Sequence, residues 1–382
     1  MAVPKYDPKE VANKKIIQGF GGRQSIVFDY PCTIREATLA TYRREPYWQL
    51  TGTAGSLFSP KVNPDNIARG FVFEAASRTF DRKNYGGPDM FGIEWEYIEQ
   101  VGGSMVRPGK PYIEDANEIK EKIKMPDPTT WDWETSAKEN NGIFLKPENA
   151  NCLWVLNGWY ERLISFMDFE GAIMALIDED QKDAVKEFFG ELSQMYIKML
   201  DCAFKAYPDV DLVCIHDDWG SQKETFFAPA VAEEMIVPYM RIVTDFIHSK
   251  GKYADLHSCG QNFKQVPNMI KAGWDSWTPQ PMNDTAKEYE LYGDKLIIGV
   301  MPELFDPKTT PEDVQRQKAR EFVDRFLQPK KPCLLSFSGM QVLTPAYVEE
   351  LYEYSRKKCA SVGAEIQYRA QVHPCARLFS EK

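Results

Sequence analysis

From about residue 150 onward, short apolar runs alternate with longer stretches in which apolar residues recur every three or four positions. The short runs predict buried strands and the longer ones amphipathic helices, which together make parallel βα units. Strands are expected over 152–157, 211–218, 252–258, 275–278, 295–301 and 333–337, and helices over 161–176, 181–207, 229–249, 263–272, 311–327 and 345–361. The helix ends carry their own punctuation. Thr310 precedes Pro311, Glu312 and Asp313, an N-cap with an N1 proline and early acids, and Thr344 with Pro345 repeats the device. Gly251 follows the basic end His248-Ser249-Lys250. Val314, Phe322, Val323 and Phe326 form one stripe suited to packing on a sheet, and Pro238 predicts a kink in its helix.

The first 150 residues are less regular, with Gly- and Pro-rich runs such as Gly86-Gly87-Pro88-Asp89-Met90-Phe91-Gly92. A helix is expected over 33–44, a first strand over 46–50, and a short helix at 115–123 inside an excursion, 97–133, over one end of a barrel. No internal repeat, low-complexity tract or linker divides the chain. The pattern therefore predicts a single domain over 1–382, an α/β (β/α)8 TIM barrel with an irregular N-terminal extension over about 1–32.

Composition narrows the function classes. A net charge of −10 without a Lys/Arg cluster argues against binding to nucleic acid or to anionic lipid. No apolar stretch approaches the roughly 20 residues of a spanning helix, and the start lacks the basic and apolar regions of a signal peptide, so no membrane association and a cytoplasmic location are expected. The eight cysteines are scattered without a Cys-x-x-Cys pair, as suits reduced thiols. The composition is compatible with a homo-oligomer. Nine Trp, 18 Tyr and 22 Phe are enough to supply both a core and a pocket for a flat ligand.

In a barrel of this kind chemistry sits at the C-terminal ends of strands. His216, Asp217, Asp218, His257, Cys259, Glu303 and Ser336 to Ser338 all fall at such ends. His257 and Cys259 are two apart, so an extended chain turns both to one face, as a shared zinc ion requires. The plain alternative is a satisfied histidine beside a buried thiol. Three residues compete as a third ligand: Cys333, which begins its strand; Glu303, just past 295–301; and Ser338, a poor zinc ligand. Asp217 and Asp218 point to opposite faces, one as an acid or ligand-orienting group, the other as a cap or ion-pair partner, and Asp218 shares its face with His216. Trp219 and Gly220 suggest a ligand wall beside a close backbone approach.

These residues resemble the uroporphyrinogen decarboxylase-like superfamily, from Thr33-Ile34-Arg35-Glu36-Ala37 through Asp217-Asp218-Trp219-Gly220-Ser221 to Leu343-Thr344-Pro345. Met90-Phe91-Gly92-Ile93-Glu94-Trp95, Gly102-Gly103-Ser104-Met105 and His257-Ser258-Cys259-Gly260 resemble its corrinoid-dependent methyltransferase branch, notably the O-demethylases of anaerobes. A tetrapyrrole decarboxylase carries a Met-Arg-Gln-Ala-Gly-Arg motif where this chain has Gln49-Leu50-Thr51-Gly52-Thr53-Ala54-Gly55-Ser56, with no arginine for substrate carboxylates. Methyltransferases acting on coenzyme M carry a third zinc cysteine where this chain has Ser338.

The resemblance implies transfer of a methyl group from a small methylated donor, foremost an aryl methyl ether, to the Co(I) of a separate corrinoid (cobalamin) protein. It implies zinc on His257 and Cys259, for which Glu303 is the expected substitute third ligand, or failing zinc a protonated acid, with Asp218 and His216 as catalytic groups and Tyr47, Trp48 and Trp219 lining an aromatic slot. The alternatives are methyl transfer from a methylcorrinoid to a thiol or tetrahydrofolate, a tetrapyrrole decarboxylase-like activity, and a barrel acting as a scaffold.

Overall fold

Apolar runs bounded by polar residues become the largely buried strands, and the amphipathic stretches between them become helices. The computed structural model describes residues 3–18, 24–51, 55–78, 82–100, 102–106 and 109–372. The chain is α/β, and its alternation of parallel strand and helix is that of a TIM-barrel-like fold. It divides into two compact units, Gly55–Asp284 and Met1–Ala54 with Thr285–Lys382.

In the unit Gly55–Asp284 five parallel strands lie side by side in chain order: β1 (Ser56–Phe58), β2 (Asn151–Val155), β3 (Val210–His216), β4 (Tyr253–His257) and β5 (Ser276–Trp277). The register pairs Trp154 with Cys214, Cys214 with Asp255, and His216 with His257. Two strand-end histidines thus stand abreast. β2 leads into helix Trp159–Ala175 and then Lys182–Ala206, whose buried Val185, Phe188, Leu192, Met195, Met199 and Ala203 trace one stripe. The expected helix 229–249 is two helices, Pro229–Met235 and Val237–Ser249, broken at Ile236 because Pro238 denies its backbone a donor. The segment 263–272 is a 3-10 turn continued by Val266–Lys271. Before β2 lie an antiparallel sheet (Gly87–Pro88, Glu94–Ile98, Gly103–Val106), a 3-10 turn Ala116–Glu118 capped by Asp115, and a helix Trp133–Asn140 that the sequence pattern did not separate from loop.

The other unit holds β6 (Ile297–Val300) and β7 (Leu334–Leu335), parallel to each other, with helices Ile34–Tyr42, Thr285–Tyr292, Glu312–Phe326 and Pro345–Val372. Thr33 and Glu36 form a capping box on the first of these. The expected strand 46–50 is irregular chain with a bend at Tyr47 and Trp48, outside any ladder; Thr51 makes a single parallel bridge, to Leu335. Residues 52–54 of the stretch compared with the arginine motif lie outside the described residues. Among the described residues, no helix is long and apolar enough to cross a membrane.

Candidate metal centre

The register of β3 and β4 decides the site. His216 and His257 are cross-strand partners, and their rings stack at 4.6 Å with 14° between planes. Beyond the strand ends the chain turns so that Asp218 and Cys259 meet, the Cys259 N–H donating to Asp218 Oδ1 at 2.7 Å. His216, Asp218, His257 and Cys259 bring one ligand atom each into a group whose members all lie within 4.8 Å of one another. His257 Nε2 is 3.3 Å from Cys259 Sγ, and His216 Nε2 is 3.7 Å from Asp218 Oδ1. Ligand atoms of a tetrahedral zinc ion sit about 3.3–3.8 Å apart, from bond lengths near 2.0–2.3 Å. Both separations match, and the widest need only close by about an ångström. Two imidazoles, a thiol and a carboxylate are a zinc-type donor set, so the residues fit the ion.

Around the donors stands a layer of orienting groups. Glu161 Oε2 meets His216 Nδ1 at 2.6 Å, leaving Nε2 for the cluster, the carboxylate–histidine arrangement that fixes a metal ligand's tautomer. Arg69 lies 3.5 Å from the same Glu161 oxygen and donates to Asn157 Oδ1. Gln280 donates from Nε2 to Cys259 Sγ at 3.3 Å. The two histidines are driven apart electrostatically. Burial pushes His257 down to about 3, with the His216 charge adding to it, so it stands neutral. Burial also opposes the His216 cation, but Glu161 and Asp218 outweigh it and raise its pKa. Burial likewise works against the Asp218 anion, yet the His216 charge and the hydrogen bond from the Cys259 N–H hold it below the usual carboxylate range. The Cys259 thiol is pushed up by burial and then by Asp218.

Asp217, on the opposite face as expected, is fully buried and does a different job. It accepts from the N–H groups of Tyr160 (3.3 Å) and Glu161 (2.9 Å) at the start of helix Trp159–Ala175, and from the Trp219 indole (2.9 Å). The helix N-terminus is thus capped from a neighbouring strand end. Gly158 is required there, because a Cβ would stand 2.5 Å from Asp217 Cβ.

The remaining sequence expectations fall elsewhere. Glu303 is 70% exposed and ion-paired with Lys318, and the donor cluster does not include it. The chain leaves β6 at Val300, so Glu303 lies in irregular backbone rather than at a strand end. Cys333 is buried against Gln49. Tyr47 and Trp48 are buried in the aromatic packing of their own unit, Trp48 stacked on Tyr30 at 5.2 Å and edge-on to Tyr352. Trp219 is buried too, its indole committed to Asp217, so it offers no ligand wall.

Ring surface beside the cluster comes instead from Trp154, 5.4 Å from the His257 ring, and Phe71, 5.3 Å from Trp154. Both are partly exposed, whereas Leu153 and Val155, flanking Trp154, are buried. Glu161, Arg69, Gln280 and Trp154 were not anticipated. Glu161 carried a usable signal: Asn157-Gly158-Trp159-Tyr160-Glu161 ends β2 as His216 to Asp218 end β3.

The polar layer continues behind Arg69. Arg162 is ion-paired with Asp65 and, at 2.7 Å, with Asp89, all three side chains being fully shielded from solvent or nearly so. Asp89 also accepts from the N–H groups of Phe91 and Ile93 and from the Trp95 indole. The stretch Met90 to Trp95 therefore wraps a buried carboxylate.

Residues 163–346, which include every donor of the cluster, match the family model for uroporphyrinogen decarboxylase (URO-D). A methyltransferase from Methanosarcina mazei has a similar structure, with a TM-score of 0.52 at 15% sequence identity, over 88% of this chain and 99% of that one. No curated protein matches the sequence.

Proposed function

We propose that this protein is a methyltransferase that takes a methyl group from a small methylated donor, an aryl methyl ether before others, and passes it to the Co(I) of a corrinoid carried by a separate protein. The observation behind the reading is the gathering of His216, Asp218, His257 and Cys259 at the ends of two paired strands. The match to the family model and the likeness in fold to a methyltransferase support it.

These four side chains would hold zinc, replacing the ligand set with Glu303. Zinc bound there would supply Lewis acidity for an ether oxygen on which negative charge develops. The chain's own groups set up the reaction around it. Glu161 keeps His216 turned with Nε2 toward the cluster. Asp218, held ionised and anchored by the Cys259 N–H, acts as ligand and orienting group rather than as proton donor. Trp154 and Phe71 give an aryl donor a face to lie against. The methyl carbon leaves the oxygen, which keeps the bonding pair, and the acceptor's Co(I) provides the pair for the new bond.

Mixing a methoxyarene, a reduced corrinoid protein and this enzyme should give stoichiometric methylated corrinoid and free phenol. His257→Ala should abolish transfer while the protein stays folded. Full activity in that variant would overturn the reading.

A further inference from the structure

We propose that Gln280 is a positioning residue that holds the Cys259 sulfur as a hydrogen-bonded, weakly nucleophilic ligand; this rests on the metal-centre reading above. Gln280 follows β5, and its amide touches the Cys259 turn twice. The Gly260 N–H donates to Gln280 Oε1 at 2.9 Å, and Gln280 Nε2 donates to Cys259 Sγ at 3.3 Å. A backbone N–H can only donate, so the amide oxygen must face Gly260 and the NH2 must face the sulfur. No flipped amide satisfies both contacts.

The surroundings fix the pair further. Asn283 Nδ2 donates to Gly260 O at 2.8 Å and to Gln280 O at 3.1 Å, and the Asn262 N–H donates to Asn283 Oδ1. Asn262 Nδ2 donates to Cys259 O at 2.6 Å. Cys259 and Gln280 are thereby held by one lattice of amides, and the N–H···S contact is a built one.

Its use follows from the chemistry of the site. A thiolate beside a methyl donor competes with the intended acceptor. Attack by Sγ would form an S–CH3 bond and break the C–O bond, whose electron pair would stay with oxygen, and Cys259 would lose its charge as a ligand. An N–H donor on the sulfur engages a lone pair and draws charge from it, which slows that attack.

The test compares wild type, Gln280→Glu and Gln280→Ala, each loaded with zinc or cobalt(II) and exposed to methyl iodide, with methylation at Cys259 followed by mass spectrometry. In that probe reaction the Sγ–C bond forms as iodide leaves with its electron pair. Gln280→Glu keeps an acceptor for Gly260 and replaces the donor with a carboxylate of the same shape, so it carries the test if Gln280→Ala fails to fold. Both variants should retain stoichiometric metal, and Cys259 should be methylated roughly tenfold faster than in wild type, the factor attached to one hydrogen bond to a charged acceptor. The sulfur-to-cobalt charge-transfer band should move to lower energy. Unchanged methylation and an unchanged band in a metal-loaded variant would overturn the role of Gln280 and leave the metal centre standing. A wild type that takes up neither ion would overturn the metal centre, and this proposal with it.

Discussion

Two groups of buried polar side chains in the unit Gly55–Asp284 are built on opposite plans. Around Arg162, one cation faces two carboxylates, and backbone N–H groups and an indole occupy much of the remaining acceptor capacity. Around His216, His257, Asp218 and Cys259, four groups of metal-ligating type converge, and solvent reaches all of them in part. In the first arrangement both carboxylates are met by Arg162 and by further donors of the same unit, which ties the surrounding segments together. The second gathers donors at a cost in desolvation that zinc, bound as proposed above, would offset. Proximity of charged groups alone therefore does not mark a site; convergence of metal-ligating types is what supports one here.

The largest effect should come from breaking the Arg162 group. Arg162→Met leaves Asp65 and Asp89 buried without their cation and should cost about 3–5 kcal/mol, read from the urea unfolding midpoint. A loss below about 1 kcal/mol would mean that the network is not the scaffold described here. The converging group should respond the other way. His257→Ala and Cys259→Ser should lose bound zinc and methyl transfer, while the unfolding midpoint of metal-free protein stays close to that of wild type. Elemental analysis beside denaturation separates the two responses.

Intermediate in size is Glu161→Gln, which keeps the shape but weakens the hold on His216 Nδ1. Zinc affinity should fall about 10–100-fold, measured by competition with a chromophoric chelator. No change would make Glu161 a bystander. The smallest effect is expected from Glu303→Gln: zinc content unchanged and stability within about 0.5 kcal/mol, because its partner Lys318 is a surface contact. Loss of zinc in that variant would restore the ligand set expected from sequence.

Much of this was legible in the chain. β2 to β4 lie where apolar runs put them, within a residue or two, because buried parallel strands leave a dense apolar signal. The His257-x-Cys259 spacing was readable for the same reason. The placing of His216 abreast of His257 was not, since stagger between strands follows from how side chains pack across the sheet. Glu161 escaped because its role depends on a helix that starts beside Asp217, a contact between segments far apart in sequence. Trp219 misled for a local reason: a tryptophan next to a glycine looks like a pocket wall, and only the structure shows its indole spent on Asp217. Glu303 misled because the apolar run 295–301 outlasts the strand it encodes.

The turns that follow β3 and β4 press together at Gly220 and Gly260, where a Cβ on Gly260 would fall 2.1 Å from Gly220 O and where the Gln261 N–H donates to Ser221 O at 2.7 Å. Asp218 and Cys259 are set on those two turns, which cannot part without breaking that seam. The arrangement of the four proposed zinc ligands is therefore set largely by the fold itself. Unlike a zinc finger, whose chain folds only around its metal, this protein should be a sound host for metal exchange, losing zinc to a chelator and taking up cobalt with its circular dichroism unaltered.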